Sequence, residues 1–229
     1  IRNGQNIMSE PDGTLSTDAR KLIGGLVDYA STLSAFGNTV ASSFLRLVPN
    51  QEAPTRICWS HNNRSALIRV PLGWSEKSHL AKVVNPSESD DYVDPRGRQT
   101  VELRSPDGSA SFHLLLAGIT TAAEYGLTAD GMLERAIETN IEGNVFSDKE
   151  VMARLEPLPS SCVQCARLLD ERRAMYQEAG VFPPRVIDYQ IALLNEEDDE
   201  KLNRDFARLP AEERLVATRE LMHKDIHRH

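Results

Sequence analysis

The sequence predicts an α+β chain from three observations: a long run of helical apolar spacing near the start, short β-branched runs cut by Pro and Gly between Val48 and Arg104, and helical spacing again after Ser109. In the first stretch Leu22, Ile23, Leu26, Val27, Ala30 and Leu33 recur at helical intervals over 17–36, with Ser16 or Thr17 to cap the helix and Gly37 to stop it. In the second, 55–60, 66–70 and 100–103 read as strands of a mostly antiparallel sheet, and 85–98, with Pro86, Pro95, Gly97 and three aspartates, as a solvated connection or lid. In the third, 110–125 carries Phe112, Leu115, Leu116, Ile119 and Ala123, apolar nearly all round, which predicts a deeply buried helix backing the sheet. Amphipathic helices follow at 149–155, 160–179 and 185–195. The acidic run Glu196 to Glu200 reads as a solvated junction, and a last pair of helices flanks Pro210.

Composition excludes several classes. The 229 residues carry 26 Lys and Arg against 34 Asp and Glu, a net charge of −8, so no general attraction to nucleic acid or an anionic membrane is expected. No apolar run approaches the roughly 20 residues of a membrane helix, and the first residues lack the pattern of a secretory signal. Cys58, Cys162 and Cys165 are too few for a disulfide framework and lack a second ligand pair for zinc, which fits a reduced, cytoplasmic compartment. Ile1 is no initiator methionine, and an excised piece of a longer polypeptide is the expectation.

Arginine placement carries the chemistry, because a guanidinium is a rigid fork matched to carboxylate and phosphate oxygens. Arg46, Arg64, Arg69 and Arg104 all lie in or beside strand-like or Gly- and Pro-bounded segments. In 101–104, alternation turns Val101 and Leu103 one way and Glu102 with Arg104 the other, toward solvent or toward a polar pocket able to hold a metal and an anion. Arg64 and Arg69 are five apart and on a regular strand face opposite ways. Serving one pocket requires Arg64 in the preceding turn, or a bulge. The Pro-bounded segment 46–54, with its single carboxylate Glu52, suits a flap over a site or a plain surface turn.

The run from Phe44 through Arg46-Leu47-Val48-Pro49-Asn50-Gln51-Glu52-Ala53-Pro54, then Cys58-Trp59-Ser60 and Asn63-Arg64-Ser65-Ala66-Leu67-Ile68-Arg69-Val70-Pro71, with Val101-Glu102-Leu103-Arg104-Ser105-Pro106-Asp107 later in order, resembles the catalytic domain of the glutamine synthetase family. The resemblance runs from about residue 2 to 195. It implies that 1–146 is the C-terminal portion of the catalytic half-barrel sheet packed on helices, and that 147–229 is a helical C-terminal subdomain with an extension. It also implies an ATP-dependent glutamate–ammonia ligase in the full-length parent, requiring Mg2+ or Mn2+, with glutamate, ATP and ammonia as substrates, and ring-shaped homo-oligomers. Arg46 and Arg104 would grip glutamate. Arg64 and Arg69 would contact ATP and the transferring phosphoryl group, Glu52 would close the site and hold or deprotonate ammonium, and Glu102 would be a metal ligand.

Only one metal ligand is in view, so the isolated chain is expected not to catalyse the reaction. Thr100 and His61-Asn62 depart from the family pattern at positions that bear on nucleotide contacts and substrate identity, leaving open a polyamine or other amine as nucleophile, or a non-catalytic relative. Phe146 in 144–148 has no hydroxyl where some bacterial relatives carry an adenylylated tyrosine, so no such modification is expected there. His113 reads as a core residue, His223, His227 and His229 as a fraying terminus, and Cys162 with Cys165 as packing.

Overall fold

A computed structural model describes residues 6–10, 12–48, 53–71, 84–87, 99–143, 149–178 and 180–227. The predicted first helix is α1 (Thr17–Gly37), and it is the axis of the molecule. Ser16 stands outside it in extended backbone, and its Oγ accepts the Ala19 N–H at 3.0 Å, filling one of the donors that a helix start leaves empty. A short helix, α2 (Ser43–Arg46), leads to strands β1 (Trp59–His61), β2 (Ile68–Val70) and β3 (Glu102–Leu103). Eight more helices follow among the described residues: α3 (Phe112–Thr128), α4 (Met132–Thr139), α5 (Lys149–Arg154), α6 (Cys162–Glu171), α7 (Ala174–Gln177), α8 (Pro184–Asn195), α9 (Leu202–Arg208) and α10 (Ala211–Lys224).

Two interfaces hold α1. On one side α3 comes so near that a Cβ built on Gly25 would lie 2.2 Å from the Ala122 carbonyl oxygen and 2.6 Å from the Gly126 Cα. Only glycine permits that approach. On the other side Phe36 stacks on Phe182 and both meet Tyr176 edge to face, with centroids 5.0–5.4 Å apart. There the buried Thr32 and Tyr176 hydroxyls share a 2.7 Å hydrogen bond, and Gln190 Nε2 donates to the Ala35 carbonyl at 2.7 Å. Each polar group inside this aromatic cluster thus finds a partner, as burial demands.

The α+β class stands, but the sheet is mixed rather than mostly antiparallel: β1 and β2 are parallel, β2 and β3 antiparallel. Parallel neighbours ordinarily need a long crossover. Here each strand has three residues, so the return path is only about 10 Å, and residues 62–67 span it, with Asn62 at φ 52° making the reversal.

Other expectations are corrected. The helix α3 is not deeply buried: Leu115, Gly118, Thr121, Ala122 and Gly126 face the core, while Phe112 is 67% and Leu116 53% exposed. Apolar character all round leaves undecided which side meets α1, and the small residues took that place. His113 is exposed, not a core residue. The helix expected over 160–179 breaks at Arg172–Arg173, where Arg172 reaches back to the Asp28 carbonyl at 3.0 Å and Arg173 pairs with Asp170 and Asp188. The acidic run is not a solvated junction either. Asp198 sits at φ 47°, and the residues on both sides of it, Glu197 and Asp199, turn inward and are buried. Asp199 Oδ2 and Oδ1 accept the Cys162 and Val163 N–H groups at the start of α6, at 2.8 and 3.2 Å. Glu197 Oε2 accepts the Ala41 N–H at 3.1 Å and meets Lys224 Nζ at 3.5 Å.

All three cysteines pack in the interior without disulfides, as expected for Cys162 and Cys165. Burial lifts the Cys58 thiol from an ordinary 9.0 to about 11, and lifts Cys162 and Cys165 further with the Asp199 carboxylate beside them. A thiol held protonated in the fold and freed to ionise on unfolding favours the folded state only below its unfolded pKa. The share due to Cys58 is therefore complete below pH 9 and lost as the pH climbs through about 11. Thiol-specific labelling at pH 8 is expected to be slow at all three positions and complete after unfolding, with denaturant midpoints falling across that alkaline window. Fast labelling of the native chain would contradict the buried positions.

Candidate functional site

The β2–β3 pairing puts Arg69 directly across from Glu102. Residues so paired project to one face of a sheet, and here Arg69 Nη2 meets Glu102 Oε1 at 2.9 Å. The two side chains are 25% and 39% exposed, so the pair is a half-solvated contact that orients both groups and stabilises the fold little. One residue beyond β3, the Arg104 N–H donates to the Leu67 carbonyl at 2.9 Å, extending the ladder, and its Nη1 reaches the Ala66 carbonyl at 3.3 Å.

Arg46, in the last turn of α2, donates to three successive carbonyls: those of Arg104 and Pro106 at 3.5 Å each, and that of Ser105 between them. The Ser105 carbonyl also receives Asn38 Nδ2 at 2.8 Å. Asp107 Oδ1 accepts the Ser109 N–H and Oγ–H at 2.9 and 2.6 Å, and Ser109 Oγ accepts the Thr39 N–H at 3.0 Å. The loop after β3 is thus fastened both to the end of α1 and to α2. Arg69 and Glu102 pair with each other, while the Arg104 guanidinium holds the Ala66 carbonyl and Arg46 holds the backbone of the loop after β3.

Arg64 lies in the turn ahead of β2 and is exposed, the location that the five-residue spacing from Arg69 requires of a shared pocket. Glu52, with 49–52 of the expected flap, lies outside the described residues, as does the 144–148 segment. Arg46 is helical rather than part of a loop. Asn38, Asp107 and Ser109 were assigned no role from the sequence, although Asp107-Gly108-Ser109 is a common Asx-turn pattern in which the aspartate accepts from the residue two on. A cleft of about 580 Å³ lies elsewhere, lined by Asp28, Tyr29, Glu124, Tyr125, Arg172 and Met175 among others and by none of the predicted residues.

Among the described residues no three His, Cys, Asp or Glu are grouped to hold a metal ion. Glu102 is a single carboxylate already bonded to a guanidinium, whereas Mg2+ takes six oxygens and keeps several as water. These residues alone therefore do not make a divalent-metal site.

The family described as "Glutamine synthetase, catalytic domain" matches residues 1–207. The chain belongs to this family. The glutamine synthetase of Thermococcus kodakarensis is 31% identical over 189 residues, 82% of this chain and 38% of that protein. Glutamine synthetase of Thermotoga maritima is 33% identical over 183 residues, 79% of this chain and 36% of its own length. In structure the chain is similar to Plasmodium falciparum glutamine synthetase, with a TM-score of 0.60 at 22% identity over 92% of this chain and 44% of the other, a likeness of fold. This glutamine synthetase family chain spans less than two fifths of the length of those curated relatives. No helix among its described residues is long and apolar enough to cross a membrane.

Proposed function

We propose that this chain forms part of an ATP-dependent glutamate–ammonia ligase that makes glutamine through γ-glutamyl phosphate. The observation that supports it is the placement of Arg69 and Glu102 on paired strands with Arg104 one residue beyond β3 and Arg46 holding the Arg104 carbonyl, since both halves of that reaction gather anionic oxygens. In the first half, the glutamate side-chain carboxylate attacks the γ-phosphorus of ATP and ADP leaves. In the second, ammonia attacks the acyl carbon and inorganic phosphate leaves. Fixed guanidinium forks stabilise the charge that builds on phosphoryl oxygens without reorganising.

In this reading Arg104 and Arg46 bind glutamate, with Arg46 also holding the loop that carries Arg104. Arg64 and Arg69 meet the ATP phosphates. Glu52 closes over the site, excludes water from the acyl phosphate and takes a proton from ammonium. Glu102 orients Arg69 and offers one oxygen to a Mg2+ or Mn2+ whose other ligands come from elsewhere. The full-length protein is proposed to act as a cytoplasmic, ring-shaped homo-oligomer.

The test is phosphate release and glutamine formation by the full-length protein with ATP, glutamate and ammonia, set beside putrescine and ethanolamine. Arg104→Ala is expected to lower kcat/KM for glutamate at least roughly tenfold, the scale of one charge-assisted hydrogen bond of about 1.5–3 kcal/mol. The 229-residue chain alone is expected to give no turnover. Unchanged glutamate kinetics in Arg104→Ala would remove the assignment, and turnover with a diamine in preference to ammonia would replace the nucleophile.

A further inference from the structure

The short helix α2 cannot hold its own shape. Its four residues are far fewer than the roughly 12–15 that an isolated helix needs in water, so its position is set by what grips it. The loop after β3 is one grip, through Arg46 and through the 3.1 Å contact of the Ser43 and Ser109 hydroxyls. The other comes from residues near the end of the chain. Ser42 stands where a serine ordinarily caps a helix start, but it makes no capping bond to α2. Its Oγ donates instead to Asp225 Oδ2 at 3.3 Å. The Ala41 N–H goes to Glu197 Oε2 at 3.1 Å, and Lys224 Nζ meets that same oxygen at 3.5 Å. Asn203 Nδ2, from α9, donates at 3.2 Å to the Phe44 carbonyl, one of the group that a helix end leaves without internal partners. Asp225 and the Glu197 side chain are buried, so water competes little for these bonds.

Lys224 and Asp225 lie past residue 207, where the match to the family ends. They nevertheless act on a helix whose last residue, Arg46, is exposed to a ligand. We propose that this C-terminal segment is a positioning arm for glutamate binding: Asp225, with Asn203 and the Glu197–Lys224 pair, fixes the start of α2 and through it the direction of the Arg46 guanidinium. This rests on the reading of Arg46 as a glutamate-binding residue. The arm works through α2 and not by touching substrate. Once it lets go, α2 samples other positions, and the apparent affinity for glutamate falls with the fraction of molecules that keep Arg46 in place. Arg64 and Arg69, which serve ATP in the same reading, stand on β2 and the turn before it and keep their positions.

The experiment uses the full-length protein with ATP, glutamate and ammonia, and reads hydrogen exchange beside kinetics. Asp225→Ala is expected to speed exchange of the backbone amides in 41–46 at least roughly tenfold, with those of 22–33 in α1 unchanged. KM for glutamate is expected to rise at least roughly threefold, with kcat and KM for ATP held within about twofold. A variant that merely lost stability would lower the active fraction, and so kcat, without moving KM for one substrate. Asp225→Asn keeps an acceptor for the Ser42 hydroxyl and is expected to restore most of both values. Because Asp225 is buried, Asn203→Ala, at a half-buried position, is the second variant and is expected to shift both readouts in the same direction. Circular dichroism verifies that each variant keeps the fold. In an Arg46→Ala background, Asp225→Ala is expected to add nothing to KM for glutamate. The proposal is overturned by wild-type exchange over 41–46 in both variants, or by wild-type KM for glutamate in both where Arg46→Ala raises it. No effect of Arg46→Ala on KM, or no turnover of glutamate, overturns the reading of Arg46 and this proposal with it; exchange, which needs no substrate, tells that failure from a failure of the arm.

Discussion

Gly25→Ala is expected to destabilise the chain by about 2–3 kcal/mol, even though alanine is intrinsically the better helix former by roughly 1 kcal/mol. The sign is decided by what the methyl group would meet. Its carbon would fall 2.2 Å from the Ala122 carbonyl oxygen and 2.6 Å from the Gly126 Cα, both backbone atoms of α3. A flexible side chain could swing aside; a helix backbone moves only as a body, so α1 and α3 must separate and lose contact along their shared length. Gly126 and Gly24 meet the same obstacle, with Cβ positions 2.5 Å from the Lys21 carbonyl oxygen and 2.0 Å from that of Met132. Gly131 is the control: at φ 79° with nothing within 4 Å of its Cβ position, Gly131→Ala carries only left-handed strain, about 1–2 kcal/mol. Urea denaturation of the set measures the difference. A neutral or stabilising Gly25→Ala would mean that the two helices do not approach as described.

Asp199→Ala is expected to cost about 2–4 kcal/mol, because it strands the Cys162 and Val163 N–H groups in the interior and each unpaired donor costs about 1–3 kcal/mol. Asp199→Asn keeps one acceptor oxygen and sheds a buried charge, so a loss of about 1 kcal/mol is expected, ordering the variants wild type, Asn, Ala. The pH behaviour separates this carboxylate from an ordinary salt-bridged one. Burial raises its pKa above the usual 3.8, against the opposing pull of the two backbone donors. A carboxyl whose folded pKa is raised binds its proton more tightly in the folded chain. Its stabilising contribution is therefore full below 3.8 and declines as the pH rises through the raised value. Acid is thus not expected to release this cap, and Asp199→Ala should remain destabilising at pH 4. Equal stability of the two chains there would count against the two backbone contacts.

Local order was readable where the cause is local. The period of Leu22 to Leu33 and the Ser16 cap specify α1 within a residue, and Arg64 stands in the turn ahead of β2, one of the two placements that a pocket shared with Arg69 would require. What stayed hidden depends on partners far along the chain. The pairing of Arg69 with Glu102 joins residues 33 apart, and nothing in either strand names the other. Asp199 is 37 and 36 residues from the two N–H groups it caps, so a run of acids reads as solvated until the receiving helix end is known. The helix α3 misled for a different reason: Phe112 and Leu116 are apolar, but Gly118 and Gly126, the residues that look least like a core, are the ones that let α1 approach.

The aromatic cluster around α1 also sets a schedule. Thr32 and Tyr176 are partners across 144 positions, and Gln190 answers Ala35 across 155. At about 5–20 residues per second, a ribosome delivers the second member of such a pair roughly seven to thirty seconds after the first. Through that interval the side of α1 that will meet Tyr176 and Gln190 has emerged without them while α3 is already at hand for its other side, so a nascent-chain chaperone would have one apolar face to shield.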